Sequence, residues 1–97
     1  MSAAATVIRH VAVVGTGVIG ASWAAFFLAR GLDVTATDPA PGAEQRLREA
    51  VQRHWPTMQR MGLADGASPE RLRFDAELER ALDGCDFVQE SGPERAD

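Results

Sequence analysis

An α/β domain built on a parallel sheet of strand order 3-2-1-4 is the architecture predicted for this 97-residue chain. Three observations predict it. Short apolar runs of strand length alternate with longer stretches of helical period. Gly15, Gly17 and Gly20 stand as G-x-G-x-x-G directly behind the apolar run Val11-Ala12-Val13-Val14. An acid, Asp38, closes the next apolar stretch, 18 residues after Gly20. Strand, glycine turn, helix and a second strand ending in an acid are the marks of a Rossmann-type crevice, where the acid is expected about 20 residues beyond the glycines.

Each position of the motif has a physical task. Gly15 lacks the Cβ that forbids positive φ, so it can turn the chain sharply out of the first strand. Gly17 lets backbone approach a pyrophosphate, and Gly20 removes bulk where helix meets strand. Thr16 lies in the same loop, and Val18 and Ile19 open a helix whose free N–H groups and positive dipole end suit an anion. Asp38 can accept hydrogen bonds from a ribose 2′-hydroxyl, whereas a 2′-phosphate there would bring like charges together. Residues 39 to 43 read Pro-Ala-Pro-Gly-Ala and offer no arginine to a phosphate, so NAD is favoured over NADP, with FAD a minor alternative.

The remaining elements follow in order. The first helix, Val18 to Arg30, stops at Gly31, a residue suited to the left-handed position after a helix. Leu32 to Thr37 alternates well enough for the second strand. From Ala43, the positions Leu47, Ala50, Val51, Trp55 and Met58 recur at helical spacing, and Pro56 predicts a kink or a fresh helix start near Trp55. Gly62 and Gly66 mark a loop, and Ser68-Pro69-Glu70 opens a short helical turn. Arg71 to Phe74 is the third strand, Asp75 caps a helix over Ala76 to Leu82 that Gly84 ends, and Asp86 to Glu90 is the fourth strand, followed by a turn at Ser91-Gly92-Pro93. Right-handed crossovers then place the ligand crevice between strands 1 and 4. Residues 1 to 6 read as a flexible tail, and residues 7 to 97 as an incomplete domain.

Composition narrows the function classes. Ten basic against fourteen acidic side chains give a net charge of −4, which argues against a nucleic-acid surface. The uncharged stretch Val11 to Ala29 approaches the length of a membrane span, but its three glycines punctuate strand, turn and helix, and Arg9 and His10 make a thin positive flank. One cysteine, Cys85, excludes an internal disulfide and fits a reducing cytoplasm; it reads as a buried small hydrophobe rather than a nucleophile. The first helix is apolar nearly all round, with Ser22 its one polar break, which predicts a further covering domain or subunit.

The stretch Val11 to Asp38, with HWP at 54 to 56, GASPERLRF at 66 to 74 and DFVQESGPE at 86 to 94, resembles the amino-terminal NAD-binding domain of the 3-hydroxyacyl-CoA dehydrogenase family. The resemblance covers nearly the whole chain after residue 9. It implies that Val18 and Ile19 offer backbone contacts to the pyrophosphate, that Asp38 binds the adenosine ribose, and that Glu94 lies near the nicotinamide ribose. Glu90 matches a second family acid, with helix capping or loop bracing as its structural alternative; for Glu94 the alternative is a solvated acid of a helix's first turn. Ser91-Gly92 stands where family members often carry an apolar pair.

The resemblance further implies oxidation of a C3 secondary alcohol to a ketone, with carnitine the leading substrate and a 3-hydroxyacyl-CoA or L-gulonate as alternatives. It implies a histidine and glutamate pair, an all-helical substrate domain beyond Asp97 and a homodimeric full-length enzyme. Neither His10, just before the first strand, nor His54, on a peripheral helix, suits the general-base role, so no catalytic residue is assigned within the chain. A front portion of such an enzyme is expected to bind NAD weakly and catalyse nothing. The rival expectation is a free-standing NAD-binding module that senses NAD or docks onto a separate catalytic chain.

Overall fold

The computed structural model describes residues 7–91, so the expected tail at 1 to 6, the Gly92-Pro93 turn and Glu94 lie outside the described residues. Four strands, β1 (His10–Val14), β2 (Asp33–Thr37), β3 (Leu72–Phe74) and β4 (Phe87–Glu90), form one parallel sheet in the order β3-β2-β1-β4. Between them run α1 (Val18–Ala29), α2 (Ala43–Met61), a 3-10 turn at Pro69–Arg71 and α3 (Leu78–Leu82). The predicted order is the observed one, and β1 and β4 diverge from the switch point that the crossovers require.

Burial explains why the central strands read as continuous apolar runs. Val11, Ala12 and Val13 are fully buried because both sheet faces are covered at β1. Val11, Val13, Val34 and Ala36 share one face and join Ala24 and Leu28 of α1 with Leu47, Val51 and Trp55 of α2 in a single core. The helical spacing that identified α2 is therefore the spacing of its buried stripe. Helix α3 lies against β1 and β2 from the other side.

Several local expectations are corrected. Helix α2 runs on through Pro56 with no fresh start near Trp55, because Leu47, Val51 and Trp55 before the proline and Met58 after it pack on the core. Helix α3 begins at Leu78 rather than Ala76. Asp75 does act as a local cap, but its Oδ1 accepts the N–H of Glu77 and both its oxygens accept from Arg80, so it closes a turn ahead of the helix. Ser68 does cap its turn, accepting the Glu70 N–H at 3.1 Å. Cys85 is half-buried rather than buried, and its Sγ donates to the Ala81 carbonyl. Burial, reinforced by Asp86 and Asp83, pushes its thiol pKa up, the opposite of what a nucleophile requires.

Candidate functional site

The glycine turn leaves β1 at its carboxyl end. Gly15 has φ of 93°, a value that side chains resist, and its N–H donates to the Thr37 carbonyl at 2.9 Å, tying the turn to the end of β2. A Cβ on Gly20 would collide with the Gly15 carbonyl oxygen, so the third glycine is dictated by helix-on-turn packing. Gly17 is different. It has negative φ and nothing stands within 4 Å of where its Cβ would be, so its smallness keeps space open. Gly17 also occupies the N-cap position of α1, where no side chain accepts a hydrogen bond and no acid lies in the first turn. The positive end of α1 thus faces the cavity without an internal anion.

Asp38 follows β2 and reaches back to this turn. Its Oδ2 accepts the Thr16 N–H at 2.8 Å and the Thr16 hydroxyl at 3.2 Å, while Oδ1 accepts the Ala40 N–H at 2.9 Å. Burial works to raise its pKa, but the Thr16 and Ala40 N–H groups, the Thr16 hydroxyl and the field of Arg46 together outweigh it and hold the carboxyl below its ordinary value. Asp38 is therefore an ionised brace of the loop. Three donors leave part of its capacity unused, since a carboxylate offers about four acceptor sites.

A cavity of about 730 Å³ opens at the carboxyl ends of the strands, and Gly15, Thr16, Gly17, Val18, Ile19, Gly20, Asp38 and Glu90 all line it. The structure thus brings together every sequence-nominated site residue that it describes; Glu94 is outside the described residues. Glu90 is exposed at the end of β4, where the following Ser91 N–H donates to the Val14 carbonyl at 2.7 Å. A neighbouring hollow lies on the far side of Asp38, between the 39–42 loop, α2 and Phe74. The histidines stand away from both. His10 opens β1 at the opposite end of the sheet and its Nε2 lies 2.7 Å from the Thr35 hydroxyl, and His54 is half-buried on α2. Among the described residues, no group of three or more His, Cys, Asp or Glu side chains could hold a metal ion.

Sequence reasoning did not nominate several further members of the cavity wall, Ala76, Leu78 and Arg46 among them. Ala76 arrives with the turn before α3 and Leu78 opens that helix, and nothing in their identity marks them for a site. Arg46 comes from the second turn of α2 and is the one basic side chain among the described lining residues. A search for phosphate-binding arginines confined to 39 to 43 stops three residues short of it, because the helix carries position 46 back toward the turn.

Residues 10–97 match the family described as 3-hydroxyacyl-CoA dehydrogenase, NAD binding domain. The chain belongs to this family. Its cofactor is accordingly NAD. Over 90 residues it is 58% identical to an L-carnitine dehydrogenase of Streptomyces coelicolor, covering 93% of this chain and 28% of that protein. Over 92 residues it is 54% identical to an L-carnitine dehydrogenase of Pseudomonas putida, covering 95% and 29%. In structure it is similar to a 3-hydroxybutyryl-CoA dehydrogenase of Escherichia coli, with TM-score 0.75, 26% identity, and coverage of 93% of this chain and 20% of that one. The chain spans under a third of the length of the curated relatives it matches.

Proposed function

We propose that this chain is the NAD-binding portion of an NAD-dependent 3-hydroxy-acid dehydrogenase that oxidises a C3 secondary alcohol to a ketone, with L-carnitine giving 3-dehydrocarnitine. The observation that carries the NAD site is the meeting, on one cavity, of an uncapped helix N-terminus, the space kept open by Gly17 and the ionised Asp38. A dinucleotide fits this set: the helix end suits a diphosphate and the carboxylate suits a sugar diol. The identity to L-carnitine dehydrogenases, 58% and 54%, supports the substrate.

In this reading the amides of Gly17 to Ile19 face the diphosphate, while Gly15 and Gly20 set the shape of the turn and the Thr16 amide stays with Asp38. Asp38 holds the adenosine ribose through its remaining lone pairs, Glu94 is the acid assigned to the nicotinamide ribose, and Glu90 is a second acid of the site at the end of β4. Bound NAD supplies the hydride acceptor. The general base that takes the substrate hydroxyl proton belongs to a further part of the polypeptide, as does the recognition of the small-molecule substrate, because neither His10 nor His54 lines the cavity. A homodimeric, cytoplasmic enzyme completes the reading. No helix among the described residues is long and apolar enough to cross a membrane.

The test combines affinity and turnover. In calorimetry, Asp38→Ala should weaken NAD+ binding about tenfold to 100-fold, as expected for loss of a charge-assisted hydrogen bond; unchanged affinity removes Asp38 from the site. The protein encoded by the complete reading frame should reduce NAD+ with L-carnitine in preference to a 3-hydroxyacyl-CoA or L-gulonate. The 97-residue chain should bind NAD+ without turning over any of the three. A chain that acts as a docking module would instead gain activity only when mixed with a separate catalytic protein.

A further inference from the structure

The cavity holds a cation that the NAD reading does not use. Arg46 stands on the second turn of α2, its backbone N–H donating to the Gly42 carbonyl at 3.2 Å, and its side chain folds back over Gly42. One terminal guanidinium nitrogen lies 2.9 Å from where a Cβ on Gly42 would sit. Gly42 has φ of 75° and no side chain, so it provides both the left-handed turn into α2 and the clearance that lets Arg46 lie back toward Asp38. Arg48 of the same helix pairs with Glu44, whereas Arg46 has no ion-pair or side-chain hydrogen-bond partner among the described residues.

Asp38 and Arg46 therefore share one wall of the cavity, the carboxylate engaged by Thr16 and Ala40 and the guanidinium without a partner. We propose that Arg46 is a latent receptor for a 2′-phosphate, and that Asp38 alone keeps the site selective for NAD. The inference rests on the placement of the adenosine ribose at Asp38. A 2′-phosphate carries about −1.5 to −2 charges and meets strong repulsion from an ionised carboxylate. Once that charge is removed, Arg46 is the basic group lining the same space, and a guanidinium recognises phosphate by paired, charge-assisted hydrogen bonds. Selectivity in this site is then a matter of rejection by one residue, with attraction already built in.

The experiment measures NAD+ and NADP+ affinities by calorimetry for the unaltered chain, Asp38→Ser, Arg46→Ala and the double variant. Asp38→Ser should weaken NAD+ and tighten NADP+, and adding Arg46→Ala should cancel the NADP+ gain by about tenfold to 100-fold. Asp38→Asn, which keeps the shape that braces Thr16, provides the same contrast if the serine variant does not fold. Arg46→Ala alone should lower the ratio of NADP+ to NAD+ affinity in the otherwise unaltered chain. If NAD+ weakens on loss of Asp38 but NADP+ affinity is indifferent to Arg46, the latent receptor is overturned while the ribose site stands. If loss of Asp38 changes neither ligand, both fall.

Discussion

At the scale of single residues, Asp38 is legible in the sequence as a group near a ribose, because spacing from the glycines and position after a strand are both linear features. Its bond to Thr16 is not legible, since nothing in the composition of the turn says that a carboxylate 22 positions later will accept its N–H. Arg46 was hidden for a similar reason: its relevance depends on the angle at which α2 leaves the loop. The carboxylates also make a pH prediction. Asp38, Asp75 and Asp86 all have pKa values below the ordinary one. Asp38 has its burial penalty outweighed by hydrogen bonds, Asp75 is lowered by Arg80 first, and Asp86 by the N–H groups of Arg9 and then His10. Depressed folded-state values mean that the stability they contribute is present above about pH 4 and is lost as pH falls through the folded-state values. Urea midpoints should therefore be level near neutrality and fall in acid, and Asp38→Asn should shrink that acid-induced drop.

At the scale of elements, strands and helices were readable wherever period and punctuation agreed. The run Val11 to Val14 and the stripe Leu47, Val51 and Trp55 announced their partners because those residues are the core. The failures were at positions where local chemistry competes with packing. Pro56 carries the local preference of a helix breaker, yet core contacts on either side keep α2 continuous. The missing N–H leaves the Gln52 carbonyl without its helical donor, so Pro56→Ala should stabilise the chain by about 1–3 kcal/mol in chemical denaturation. A destabilised variant would mean that the proline shapes the helix usefully. Asp75 misled in the opposite way: a good capping residue was present, but Arg80 and the Glu77 N–H drew it into a separate turn.

At the scale of the molecule, the sheet order was deducible from the number of crossovers, but the unevenness of burial was not. Strand β1 is enclosed on both faces, whereas among the described residues β4 stands at the sheet edge, with Phe87 and Val88 more than 40% exposed. Phe87 meets the ring of Phe27 edge-on at 6.3 Å, Trp23 stacks on Phe27, and Phe26 meets both edge-on, extending an apolar surface from helix to strand. This surface explains why α1 reads as apolar all round. An open parallel edge beside exposed aromatic rings favours association. The isolated chain should sediment as a concentration-dependent oligomer, and Val88→Lys should shift it toward monomer by placing a charge on the edge; an unchanged distribution would locate the contacts elsewhere.

The bare amino end of α1 has a last consequence, for endurance in heat. A coenzyme that settles there completes a secondary-structure element as well as occupying a site, so the folded chain gains about 2.7 kcal/mol when free NAD+ stands at 100 times its dissociation constant. The melting temperature should climb with coenzyme supply, and a cell short of nicotinamide nucleotides would hold this protein closer to unfolding.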